Sequence, residues 1–140
     1  MKLRNRIVSL SLILIVALLM VIPTFATENE IIPYFNNTSS VQDTFQVTEN
    51  GKATISFTCR GYRGMTTKIV VNSVIQKQSG SSWVDVAGAS WTDESTLYYC
   101  VNDHSVQLTS SGTYKATITY TVYGSGGEAD VIVSEYEKTY

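Results

Sequence analysis

A strict alternation of polar and apolar residues over positions 113–123 constrains the fold of this chain more than any other feature. Thr or Lys separates the apolar positions, which are Tyr114, Ala116, Ile118, Tyr120 and Val122. Successive side chains of a β-strand point to opposite faces, so this period of two predicts a strand with one buried and one solvated face. Residues 53–60 repeat the pattern, and such strands are typical of antiparallel sheets that pack on one side.

Turn residues divide the remainder into further strands. Residues that tolerate positive φ cluster at 50–51, 61–64, 79–81 and 124–127. We expect seven strands, near residues 41–48, 52–60, 67–77, 82–87, 95–101, 112–123 and 129–138. Seven short strands joined by tight turns favour an all-β fold of two packed antiparallel sheets, an immunoglobulin/fibronectin-III-like β-sandwich.

The N-terminal segment predicts export. The basic stretch MKLRNR precedes an apolar run over residues 7–22, which Pro23 and small residues ending at Ala26 follow. This order is that of a cleavable signal helix, so we expect residues 1–26 to be a signal peptide and the protein to be secreted. The alternative is a retained membrane anchor, although the run is shorter than the roughly 20 residues of a comfortable span.

The charge and the length of the mature chain limit its partners and the number of its domains. Cleavage after Ala26 removes three of the ten basic residues and none of the twelve acidic ones, so the net charge becomes about −5. Nucleic-acid binding depends on clustered Lys and Arg, so we expect no nucleic-acid partner, and no membrane contact after cleavage. Residues 27–40 are expected to form an extended lead-in, and residues 41–140 one β-sandwich domain.

The start of the 112–123 strand carries a tyrosine-corner signal. Gly112-Thr113-Tyr114 follows the polar turn Thr109-Ser110-Ser111, as in immunoglobulin-like domains. The cysteine that would follow two residues later in that pattern is replaced by Ala116. The segment therefore supports the immunoglobulin-like architecture without its usual disulfide.

Three segments together resemble a group of small secreted immunoglobulin-like proteins of Gram-positive bacteria. They are VIQKQSGSSWVDV at 74–86, Ser90-Trp91 and SGTYKA at 111–116. The group shares a lead peptide, a hairpin with two tryptophans, a Gly-x-Tyr strand and a Tyr-rich C-terminal strand. Its function is unestablished, so the resemblance implies the sandwich and supplies no catalytic residue.

Cys59 and Cys100 are the only cysteines, and both fall in predicted strands. An exported protein meets an oxidising environment, so we expect a disulfide between them. The predicted topology makes their strands neighbours in one sheet, so the bridge would be cross-strand. The alternative is a pair of buried free thiols, because a zinc site needs more ligands than this sequence groups together.

Catalytic and metal signals are weak. His104, the sole histidine, is expected in a solvated loop, since no serine has the glycine pattern of a nucleophile elbow. Asp93, Glu94 and Asp103 could approach one another around Ca²⁺, but their spacing matches no calcium loop. We therefore expect no enzyme, no cofactor and no metal.

Aromatic residues raise a ligand-binding hypothesis, since exposed rings on a β-sandwich can stack on sugars. Trp83 alternates with valines and is expected in the core. The possible ligand contacts are Trp91, Tyr123 and Tyr62. Tyr98 and Tyr99 are further aromatic residues considered with them. The function expected is a non-catalytic binding or interaction module with an extracellular or cell-envelope partner. The alternative is a structural surface or matrix subunit that assembles through strand edges.

Overall fold

The computed structural model describes residues 35–140. The predicted signal peptide and the lead-in as far as residue 34 lie outside the described residues. The described part contains seven β-strands: β1 Thr38–Val47, β2 Lys52–Gly61, β3 Thr66–Ser79, β4 Ser82–Ser95, β5 Tyr99–Gln107, β6 Thr113–Gly124 and β7 Asp130–Thr139. Nowhere in residues 35–140 is there a helix of the length and apolarity that a membrane span requires.

The strands form two antiparallel sheets, consistent with a β-sandwich. One sheet has the order β1-β2-β5 and the other the order β4-β3-β6-β7. Alternate residues of β2, β3 and β6 are buried between them, as the period-two pattern predicts. Phe57 of β2 meets Tyr120 of β6 edge to face, with ring centroids 6.0 Å apart. The prediction of an all-β, seven-strand, two-sheet fold is confirmed.

Two predicted strands have wrong boundaries, and a bulge in β4 is the reason. Sequence reasoning ended this strand at residue 87 and placed the next at 95–101, whereas β4 continues to Ser95 and β5 occupies Tyr99–Gln107. Val74 pairs with Ser90 and Gln76 with Asp85, so residues 86–89 stand opposite Ile75 alone. Gly88 has φ of 72° there, a conformation that favours glycine. The sequence of residues 86–89 resembles the end of a strand, yet β4 continues beyond these residues.

The first strand also begins earlier than expected. β1 starts at Thr38, inside the predicted lead-in, because Asp130 at the start of β7 fixes the chain there. The Asp130 carboxylate accepts hydrogen bonds from Asn36 N at 2.9 Å, Asn37 N at 2.7 Å and Thr38 Oγ1 at 2.8 Å. Burial raises the pKa of Asp130, but these hydrogen bonds outweigh burial and leave the pKa below its ordinary value.

The tyrosine corner predicted from the sequence is present. Tyr114 is buried at the start of β6, and its hydroxyl donates a hydrogen bond of 2.5 Å to the carbonyl oxygen of Ser110. This bond fixes the β5–β6 turn against the sheet.

Candidate functional site

Exposed tyrosines and two arginines meet at one end of the sandwich, where the β2–β3 loop lies beside the β4–β5 loop. We call the group Arg60, Tyr62, Arg63, Tyr98 and Tyr99 the tyrosine end. Tyr62 is 43% exposed and Tyr99 40%, and both arginines are exposed. A large exposed aromatic side chain is informative because the apolar surface remains in water unless a partner covers it.

Direct contacts join four residues of the tyrosine end, and Tyr62 belongs to it through its place in the loop beside Arg63. The Gly61 amide donates to the Tyr98 carbonyl oxygen at 2.7 Å, which joins the two loops. Arg63 Nη2 donates to Tyr98 Oη at 3.2 Å, and Arg63 Cζ lies 5.0 Å from the centroid of the Tyr98 ring. Tyr99 meets Tyr98 edge to face at 5.4 Å. Arg60 and Tyr99 are direct partners in the β2–β5 ladder, so their side chains lie side by side on the outer face.

The β2–β3 loop is fixed from beneath. Thr66 Oγ1 donates to the Asn37 carbonyl oxygen at 2.5 Å and accepts from the Tyr62 amide at 2.9 Å. Gly61 packs so closely on Thr66 that an added Cβ would lie 2.1 Å from Thr66 Oγ1. Only glycine fits at this position, and the loop presents Tyr62 and Arg63 from a fixed backbone.

The tyrosine end is positively charged in an acidic chain. Of the four arginines in the sequence, two belong to residues 1–26 and the other two are Arg60 and Arg63. The hydrogen bond from Arg63, the charge of Arg63 and, more weakly, the charge of Arg60 lower the pKa of Tyr98. Both guanidinium groups are therefore close enough to act on one hydroxyl.

The structure does not bring the three predicted contact residues together. Tyr62 belongs to the tyrosine end. Tyr123, also 43% exposed, pairs with Lys68 and lies on the outer face of the four-stranded sheet. Trp91 faces inward and packs against the core. Sequence reasoning missed Arg60 and Arg63, although the string Arg-Gly-Tyr-Arg at 60–63 is the signal that could have identified them.

The prediction that Trp83 lies in the core is wrong. Its ring lies on the outer face of the four-stranded sheet, with Lys115 Nζ 4.9 Å from the ring centroid. Val86 and Trp91 both pack against the core. Regular alternation would place them on opposite faces, because Trp91 is an odd number of steps further along the strand, but the β4 bulge shifts the alternation. The bulge thus places Trp91 inside.

His104 does not lie in a solvated loop, and that prediction is wrong. It lies on β5 and faces inward, where its ring stacks on Trp91 at 4.9 Å with an interplanar angle of 6°. His104 Nε2 is 2.6 Å from Asp93 Oδ2, and Asn102 Nδ2 donates to Asp93 Oδ1 at 2.6 Å. Asp93 is on β4 and His104 on β5, so the contact joins edge strands of the two sheets.

The three acidic residues considered for Ca²⁺ lie apart. Asp93 faces inward to His104, Glu94 pairs with Lys68 at 3.0 Å, and Asp103 is exposed on β5. Across the described range 35–140, no three His, Cys, Asp or Glu side chains are grouped as a metal site requires.

Cys59 and Cys100 are direct partners across β2 and β5, as the predicted cross-strand arrangement requires. Both thiols are buried, and both are free in the structure. Burial, followed by the neighbouring Cys100 and Asp130, raises the pKa of Cys59 to about 12. Burial and then Asp93 raise the pKa of Cys100. The predicted disulfide is thus not formed here, although the two strands bring the pair together.

A comparison of the chain with protein-family models and with curated proteins finds no match. The contacts described above therefore carry the functional argument.

Proposed function

We propose that this protein is a secreted, non-catalytic binding module that engages a partner at or outside the cell envelope through its tyrosine end. One observation carries the proposal: the side chains of Arg63, Tyr98 and Tyr99 contact one another at one end of the sandwich, and the exposed Tyr62 is presented beside Arg63 from a loop that hydrogen bonds fix. Loops at the end of a rigid sandwich are a common place for recognition.

The composition of the tyrosine end supports binding. Tyrosine and arginine are enriched at interfaces and among the residues that dominate binding energy. A tyrosine offers a large rigid contact area and orders few rotatable bonds when it binds. Arg63, stacked on Tyr98, retains N–H groups beyond the one that bonds Tyr98 Oη. These groups can bind a partner without rearrangement of the loop.

The immunoglobulin-like identity of the sandwich and its export belong to the same proposal. The tyrosine corner at Tyr114 and the seven-strand, two-sheet topology support the first. The basic and apolar order of residues 1–26 supports the second. Oxidation of Cys59 and Cys100 to a disulfide would accompany export, because oxidising compartments sustain such bonds.

Binding to the envelope tests the function. Labelled protein is incubated with isolated envelopes of the producing cells, and the bound fraction is measured against protein concentration. The double variant Tyr62→Ser/Arg63→Gln should bind at least about tenfold more weakly, which corresponds to about 1.4 kcal/mol. The matched variant Tyr123→Ser/Lys138→Gln alters an equally exposed tyrosine and a cation outside the tyrosine end, and should bind like the wild type. Equal weakening by both variants would refute the assignment of the surface.

A structural subunit that assembles through strand edges is the second candidate, and β7 is the observation that favours it. β7 is the last strand of its sheet, and its outer face exposes Val131 at 62% and Val133 at 55%. Glu135, Glu137 and Lys138 protect only the other half of the strand. Light scattering at increasing concentration, compared with Val133→Lys, tests it. A monomer at every concentration would exclude assembly.

A further inference from the structure

We propose that the ligand is a sparsely charged acidic glycan that lies along the outer face of the three-stranded sheet, with its anionic group bound at Arg60 and one sugar face packed on Tyr99. The inference rests on the proposed binding function and assigns the chemistry of the partner.

Three successive rungs of the sheet begin at the tyrosine end, and the same outer face continues beyond them with Gln46-Thr54-Ser105. The side chains of each rung lie next to one another across β1, β2 and β5 on the outer face. Successive rungs are about 7 Å apart, the distance of two residues along a strand. The rungs are Ser40-Arg60-Tyr99, Gln42-Thr58-Val101 and Thr44-Ser56-Asp103.

An open groove crosses the second and third rungs. The groove has a volume of about 620 Å³. Its lining includes Gln42, Thr44, Ser56, Thr58 and Asp103. Hydroxyl, amide and carboxylate groups can donate to and accept from the hydroxyls of a sugar. A flat, open groove with such a lining suits an extended polar chain better than a compact apolar ligand, which needs an enclosed apolar pocket.

The first rung supplies the two remaining elements of glycan recognition. The Tyr99 ring offers an apolar face to the C–H groups of a sugar. Arg60 lies beside it as an exposed planar cation, which can bind a carboxylate or a phosphate with two parallel hydrogen bonds. Arg60 is the one cation of these three rungs, so the first rung specifies an anionic group next to a stacked sugar.

Asp103 in the third rung limits the charge density of the ligand. Asp103 lies two rungs, or about 14 Å, from Arg60. Its carboxylate can accept hydrogen bonds from sugar hydroxyls but repels a second anionic group. A glycan with an anionic group on every unit is therefore disfavoured. An acidic poly-glutamate segment could pair with Arg60 but has no sugar face to pack on the Tyr99 ring.

The test titrates the purified full chain with a hyaluronan oligosaccharide, which has a carboxylate on alternate sugars, and with its methyl-esterified neutral form. A phosphomannan oligosaccharide distinguishes phosphate from carboxylate as the preferred anion. Poly-L-glutamate reports on charge alone, and heparin on dense charge. We expect binding to hyaluronan or phosphomannan, at least about tenfold weaker binding to the neutral form and to poly-L-glutamate, and weaker binding as salt increases.

Variants locate the site. Arg60→Gln and Tyr99→Ser should each weaken glycan binding about tenfold, while Lys138→Gln and Tyr123→Ser should leave it unchanged. An unaltered urea unfolding midpoint for each variant shows that it is folded.

Two outcomes overturn the glycan assignment: equal affinity for poly-L-glutamate, or no affinity for either acidic oligosaccharide. If envelope binding still depends on Tyr62 and Arg63, the proposed function survives with a partner of other chemistry. If envelope binding is also independent of them, both proposals fail.

Discussion

Two carboxylates, of the buried Asp130 and the half-buried Asp43, link β1 to the four-stranded sheet. Asp130 binds the start of β1 through three hydrogen bonds. Asp43 of β1 accepts a hydrogen bond of 2.7 Å from the Tyr120 hydroxyl, and Tyr136 Oη also contacts its carboxylate. Each carboxylate links elements that are distant in sequence, and the shifted pKa values of Asp130, Tyr120 and Tyr136 make stability depend on pH.

Asp130 should make the protein sensitive to acid. Its pKa is lowered in the folded state, so its contribution is complete above the unfolded value of about 3.9 and is lost as pH falls through the lower folded value. We expect the free energy of unfolding in urea to fall from pH 5 towards pH 2. Asp130→Asn should reduce this acid dependence and cost about 1–3 kcal/mol at pH 7. Asp103→Asn, an exposed control, should do neither, and equal acid curves for wild type and Asp130→Asn would contradict the account.

Tyr120 and Tyr136 should make the protein sensitive to alkali. The hydrogen bond to Asp43 and then burial raise the pKa of Tyr136 to about 12, and burial and then Asp43 raise that of Tyr120. Their contribution is therefore complete below the unfolded value of about 10 and is lost as pH rises through the folded values. Tyr136→Phe should lower the free energy of unfolding by about 1 kcal/mol at pH 7 and flatten its decrease between pH 10 and 12. A loss of the same size in Tyr123→Phe would point to a nonspecific effect.

At the scale of elements, the sequence was sufficient for the strands that alternate regularly and insufficient for β4. β6 and β2 follow a period of two without interruption, so their inner faces could be predicted. In β4 the bulge at residues 86–89 changes which face each later side chain occupies. Whether a short Ala-Gly segment ends a strand or bulges within it depends on pairing with β3, which no local pattern contains. The error at His104 follows from this segment, because ending the strand there placed the next strand too early. Trp83 precedes the bulge, and its error came from giving it the same face as Val86, which packs against the core.

The site was predictable in part for the same reason. Tyr62 could be selected as an exposed aromatic residue in a turn, but its grouping with Tyr98 and Arg63 depends on the contact between two loops that are 35 residues apart. Which loops become neighbours depends on the order of strands in the sheets, and no local sequence pattern contains that order.

β5 is an edge strand that pairs with β2 alone, so the Cys59–Cys100 pair is placed to secure it. A disulfide there would close a loop of about 41 residues and stabilise the protein by on the order of 4 kcal/mol. Protein recovered from an oxidising compartment and alkylated without reductant should show no free thiol by mass spectrometry. Cys59→Ala and the double variant Cys59→Ala/Cys100→Ala should lose similar stability, because either one removes the bond. Two alkylated thiols would exclude the disulfide.

At the scale of the whole molecule, the sandwich presents distinct surfaces for its two candidate functions. The tyrosine end carries both arginines of the described part, and the β7 edge carries exposed Val131 and Val133. A binding module would use the first, and an assembling subunit the second. The two surfaces can therefore be distinguished on the intact protein.

Hydrogen–deuterium exchange of the protein bound to isolated envelopes tests the central claim most directly. Exchange is measured by mass spectrometry for bound and free protein under the same conditions. The account predicts slower exchange on binding at residues 58–63 and 98–101, with β7 unchanged. Slower exchange confined to β7, or no change at the tyrosine end, would contradict it.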